Sequence, residues 1–126
     1  MKLTLIGGLP FIAASITYRG QSITLDHILV DTGSAGTVFA ADHLVDVDVL
    51  PEPNDPLRRI AGVGGAEYVF EKTVDELDVG ELSVRDFRIE VGALDYGFDI
   101  NGIIGIDFLM ASEAVLDLKS MTLFPA

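Results

Sequence analysis

The sequence predicts an all-β domain of short strands with one short helix near the C-terminus. Three observations carry that expectation. Apolar residues recur with period two, thirteen glycines and five prolines supply turn signals between those stretches, and the continuous apolar runs are short. A hydrophobic content of 49% over 126 residues suits one globular domain spanning residues 1–126, with no internal repeat, low-complexity tract or linker to divide it.

The elements follow in order. Ile12, Ala14, Ile16 and Tyr18 alternate with Ala13, Ser15, Thr17 and Arg19, a half-buried strand. Gly20-Gln21 signals a turn, and residues 22–26 alternate again around Ile23 and Leu25, completing a hairpin. Ile28-Leu29-Val30 is a short apolar run expected of a strand buried on both faces, and it stops at Asp31-Thr32-Gly33-Ser34. Thr37-Val38-Phe39 starts another strand, and residues 40–44 allow a brief helical turn. Residues 50–56 hold three prolines and an Asn-Asp pair, which makes them a loop. Strands on either side of Gly62-Val63-Gly64-Gly65 predict a hairpin with a glycine-rich tip. Phe87, Ile89 and Val91 form an alternating strand after a turn at Gly80-Glu81. A loop over 95–101 leads to a short buried strand at Gly102-Ile103-Ile104, closed by Gly105. Asp107 is placed to cap a helix over 108–111, and two strands around Lys119-Ser120 finish the chain.

Composition excludes several functions. The absence of cysteine removes disulfides, thiolate zinc sites and a Cys nucleophile, and it suits a reducing compartment. A net charge of −12 repels phosphate backbones and anionic membranes, so neither nucleic acid nor a membrane is an expected partner. Gly7, Gly8 and Pro10 interrupt the N-terminal apolar stretch, which argues against a signal peptide, and Asp107 splits the most apolar C-terminal region. The expectation is a soluble, cytoplasmic protein.

Asp31-Thr32-Gly33-Ser34 is the chief chemical candidate. A carboxylate at the end of a buried strand sits at the floor of a cleft, partly desolvated. Thr32 offers a hydroxyl to hold the loop, and Gly33 permits close backbone approach. Taken alone, the motif is equally a strand-to-turn Asp closing its own turn. Gly62-Val63-Gly64-Gly65 makes an arm of little bulk that can lie over a bound peptide, or else an ordinary turn. It lacks the spacing and lysine of a phosphate loop. Gly102-Ile103-Ile104-Gly105 can pass close behind another backbone.

Taken in order, Ile28-Leu29-Val30-Asp31-Thr32-Gly33-Ser34, then Gly62-Val63-Gly64-Gly65, then Gly102-Ile103-Ile104-Gly105-Ile106-Asp107-Phe108-Leu109 resemble the retropepsin-like aspartic proteases. The likeness runs over residues 11–124 and is nearest the bacterial and cellular single-domain branch of the clan that holds pepsin and the retroviral proteases. It implies a closed acid-protease-type barrel with a glycine-rich flap hairpin. It also implies a catalytic Asp31, an active-site loop of Thr32, Gly33 and Ser34, and a substrate-binding flap of Gly62, Val63, Gly64 and Gly65. Ile103, Ile104 and Gly105 would form the motif behind the active site. Because the motif occurs once and the chemistry needs two carboxylates, the resemblance further implies a homodimer that cuts a peptide or protein substrate, without cofactor or metal.

The chain departs from the retroviral members at one point. Those pair an acidic residue after the loop with an arginine after the late glycine, and Ala35 and Ile106 stand at those positions here. With both partners gone, no charge is left unpaired. His27 and His43 lack a ligand-spaced partner, Ser34 lacks a nucleophile-elbow setting, and Asp99-Asn101-Gly102 lacks the remaining ligands of a calcium loop. A non-catalytic dimeric module that binds peptides or assembles through the same fold is the alternative reading.

Overall fold

The computed structural model describes residues 1–62, 65–94 and 99–126, with residues 60–62 and 65–67 described by their backbone alone. It is mostly β, at 56% strand and 11% helix. The strands are β1 (Thr4–Ile6), β2 (Leu9–Tyr18), β3 (Gln21–Val30), β4 (Val38–Ala40), β5 (Leu57–Gly62), β6 (Gly65–Val79), β7 (Leu82–Gly92), β8 (Gly102–Ile104), β9 (Ala114–Asp117) and β10 (Thr122–Pro125). Two short helices, α1 (Ala41–Leu44) and α2 (Ile106–Ala111), correct the expectation of one. Four residues give too short a stretch for periodicity to identify a helix, and Leu44 holds α1 in place by burying completely.

Period-two patterning places the core. Along β2, Ile12, Ala14, Ile16 and Tyr18 are buried while Ala13, Ser15 and Thr17 are partly exposed. The two strands expected over 22–26 and 28–30 are one strand, β3. His27 takes a φ of 53° there, and the register against β2 slips between Ile12 and Ala14. That bulge resets the alternation so that Leu25, Ile28 and Val30 all face the core. Phe39, Ile16, Ile28, Leu77, Ile89, Ile104 and Phe108 are fully buried in one cluster, where Phe87 meets Phe108 edge-on at 5.6 Å.

The sheet order is β1-β2-β3-β8-β4-β7-β6-β5, and β2 also pairs with β6 at Ile16↔Leu77 and its neighbours. Pairing therefore runs from β2 through β3, β8, β4, β7 and β6 back to β2. β8 is parallel to β3 and antiparallel to β4, so it is threaded between two strands that are neighbours in sequence. The termini pair with each other within the chain. Leu3 donates its N–H to Met121 and Leu123 donates to Met1, beside a Lys2↔Thr122 bridge. Lys72, buried on β6, reaches Glu52 and, at 2.8 Å, Asp55, which ties the proline-rich loop to the sheet. Among the described residues no helix is long and apolar enough to cross a membrane.

Phe39 is central because β4 lies between β8 and β7. Phe39→Ala is expected to cost about 3–5 kcal/mol, read as a lower urea midpoint in equilibrium unfolding.

Candidate active site

Along the end of β3, Ile28 and Val30 point into the main core, so by alternation Leu29 and Asp31 project from the other face. The Asp31 N–H donates to the Ile104 carbonyl at 2.9 Å, which extends the β3–β8 ladder to the first residue of the motif. The chain then turns. One Asp31 carboxylate oxygen accepts the Gly33 N–H at 2.9 Å, and the Asp31 carbonyl accepts the Ser34 N–H at 3.1 Å. Asp31 is half-buried, whereas Thr32 and Gly33 are exposed. No partner for the Thr32 hydroxyl appears among the described residues. Ser34 does hold the loop, donating its hydroxyl to the Gly36 carbonyl at 2.8 Å.

β8 and the start of α2 run directly behind this loop. Ile106 donates its N–H to the Ser34 carbonyl at 2.8 Å. A Cβ added to Gly105 would lie 2.7 Å from the Gly36 carbonyl carbon and 2.8 Å from the Ser34 oxygen, so only glycine fits. Ile103 and Ile104 divide between two clusters. Ile104 enters the main core, while Ile103 joins Phe11 and Ile100, with Leu29 and Leu94 packed against them. This second cluster lies on the Asp31 side of the sheet and gives that face an apolar floor.

Two residues not assigned to the site in the sequence hold the loop's exit. Thr37 is buried, and its hydroxyl donates to Asp107 at 2.7 Å while accepting the Gly105 N–H at 3.1 Å. The Asp107 carboxylate also takes the N–H groups of Thr37 (3.3 Å) and Phe108 (2.8 Å). Asp107 is therefore not the helix cap. Gly105 occupies the cap position, and Asp107 sits in the first turn with its carboxylate directed to the loop. The bond joins residues 70 apart, which a local capping pattern cannot reveal. The clue was positional. Asp107 directly follows Ile106, one of the two positions where the retroviral ion pair is missing.

The remaining described candidates have partners other than Asp31. Gly62 and Gly65 pair across β5 and β6, and Val63 and Gly64 lie outside the described residues. His27 contacts Asp26 at 3.3 Å and the edge of Phe11, and His43 is 3.0 Å from the Asn101 side-chain oxygen. Asn101 also donates to the Asp26 backbone, so its amide is occupied in linking loops. Among the described residues no group of three His, Cys, Asp or Glu side chains could hold a metal ion. Surface cavities of about 360 and 290 Å³ open beside His27 and His43, and Asp31 lines neither.

A family model described as aspartyl protease matches residues 14–108, well over half of the chain. The chain belongs to the aspartyl protease family. A comparison with curated proteins gives no match. The matched stretch of this aspartyl protease homologue includes the Asp31 loop, β5, β6, β8 and Asp107, and it omits β1, β9 and β10. In this homologue the Thr37–Asp107 hydrogen bonds link the two segments that an acid–arginine pair joins in the retroviral members.

Gly105→Ala tests the close approach behind the loop. The added methyl meets backbone and not a movable side-chain end, so the variant is expected to lose roughly 1–3 kcal/mol of stability. Urea unfolding reads that loss, and chemical-shift changes at Asp31, Ser34 and Gly36 would locate the displacement.

Proposed function

We propose that this aspartyl protease homologue is an endopeptidase that acts as a homodimer, with Asp31 of each copy supplying one of two catalytic carboxylates. The observation that carries the reading is the position of Asp31. It is a half-buried carboxylate on the outward face of a strand end, held by β8 and by its own turn. The motif occurs once in the chain, and a twofold axis brings one copy from each subunit to the same place. Two carboxyls so placed cannot both ionise easily and share a proton, as aspartic proteases in general illustrate. The ionised member takes a proton from water, the protonated member polarises the scissile carbonyl, and water attacks without a covalent enzyme intermediate. Such a dyad favours acidic to mildly acidic conditions.

Other parts of the molecule take roles in this reading. The pairing circuit from β2 back to β2 is the closed barrel, and β5 with β6 is the flap that offers backbone groups to an extended peptide. The apolar floor of Phe11, Leu29, Ile100 and Ile103 receives an apolar side chain flanking the scissile bond. Thr32 and Gly33, exposed in the single chain, face the partner copy.

Asp31→Asn is expected to keep the fold and the dimer while lowering kcat roughly a thousandfold or more on a peptide library between pH 4 and 7. Excess variant mixed with wild type should also suppress activity, because each mixed dimer lacks one carboxylate. Undiminished cleavage by the variant would overturn the proposal. Peptide capture with no turnover by the wild type would point instead to a non-catalytic binding module. Ile103→Ala is expected to lower kcat/KM about 10–100-fold for substrates with a large apolar residue at the cleavage point, and much less for small ones.

A further inference from the structure

Glu90 is a buried carboxylate that the mechanism above does not use. It stands on β7 between β4 and β6, its N–H donates to the Thr37 carbonyl at 2.9 Å, and it is aligned with Val38 of β4. Its side chain packs on the active-site loop so closely that a Cβ added to Gly36 would lie 2.7 Å from a carboxylate oxygen. The same oxygen accepts a hydrogen bond at 3.2 Å from the guanidinium of Arg58 on β5. β5 is the terminal strand of the sheet order, next to β6. One carboxylate thus touches both the loop that carries Asp31 and the outermost strand of the hairpin.

We propose that Glu90 is a positioning residue, its carboxylate and the Arg58 guanidinium forming a strut that sets the β5–β6 hairpin at a fixed height over the Asp31 loop. The role in catalysis rests on the aspartic-protease reading, whereas the strut itself does not.

The charges around Glu90 support the geometry. Arg58 on β5 and Arg88 on β7 attract it, while Glu71 directly opposite on β6 and Asp107 on α2 repel it. Arg58 and Arg88 also reach Glu71, at 4.0 and 3.6 Å. Burial pushes the Glu90 carboxyl above the usual carboxylate range, Arg58 draws it back, and Glu71 and Asp107 add to the rise. β4, β6 and Gly36 enclose Glu90 whether or not β5 is in place, and β5 adds mainly a half-exposed guanidinium. Withdrawing the hairpin therefore removes an attraction but leaves most of the burial. Ionised Glu90 holds the hairpin even though its ionisation costs the fold stability.

The stability of the fold depends on pH through Glu90. A carboxyl raised in the folded state contributes stability that is fully present below its unfolded pKa of about 4.3 and is lost as pH rises through the folded value. Glu90→Gln removes that loss, so the variant should fold at neutral pH and show a flatter stability–pH curve above about pH 4.3.

The test is a double-mutant cycle of Arg58→Met and Glu90→Gln, read in two ways. In the first, carbon-detected titration of Glu90 should move to higher pH in Arg58→Met. Hydrogen-exchange protection of β5–β6 amides at pH 7 should fall several-fold in each single variant, with little further loss in the double. In the second, KM for a cleaved peptide should rise about 3–10-fold in each single variant, with kcat changed less than twofold, as loss of uniform binding requires. An unmoved Glu90 titration, or additive losses of protection, would overturn the strut. Unchanged KM in an enzyme that does cleave would overturn its part in positioning. A wild type that cleaves nothing refutes the protease reading, and exchange and titration still decide the strut. Should Glu90→Gln fail to fold, Arg58→Met decides it through both readouts.

Discussion

Everything near Asp31 depends on the insertion of β8 between β3 and β4. The register sets Ile28 and Phe39, both fully buried, on either side of Gly102, with the fully buried Ile104 two residues further along β8. The loop over 31–37 must then cross over the end of β8, and it can do so only where β8 presents no side chain. Gly105 meets that condition with Ser34 and Gly36 pressed against its backbone. Because the crossing is made by backbone on backbone, its geometry is stiff, and Asp31 inherits that stiffness through its hydrogen bond to Ile104. On the proposed homodimeric reading, a carboxylate that meets a second one across an axis benefits from such placement, since a small displacement of either changes how they share a proton.

The polar groups behind the crossing show how a strongly acidic chain braces an acidic site. Asp107 accepts from Thr37 twice and from Phe108 once, with no cation in the arrangement among the described residues. An ion pair would have required desolvating two charges, whereas neutral donors require desolvating one. Glu90 receives its compensation from Arg58. Only 8 basic residues serve 20 acidic ones in this chain, and two of the arginines are committed around Glu71 and Glu90. Lys72 is committed likewise, to Glu52 and Asp55 at the base of the same hairpin.

Sequence patterns served best where the interaction is local. The β2 alternation, the Gly80-Glu81 turn and the proline-rich loop all depend on neighbours within a few residues. They served less well where distant segments compete for the same group. Asp107 carries the local signature of a helix cap, yet a buried threonine 70 residues earlier claims its carboxylate. The terminal segments carry no local pattern that pairs them with each other. They are joined within one chain by hydrogen bonds between residues that sequence separation makes unrelated.

The amino-acid order by itself determined the β class, the family and the identity of Asp31 as the residue to examine, because those rest on short periodicities and contiguous motifs. Tertiary structure decided what holds Asp31. It set β8 behind the loop, gave Thr37 and Asp107 to the loop's exit, and brought Glu90 beneath Gly36 within reach of Arg58. Those contacts join β3, β4, β5, β7 and α2 only after the sheet has folded. A carboxylate's partner is whichever donor the packed chain brings within about 3 Å, and sequence spacing cannot specify that distance.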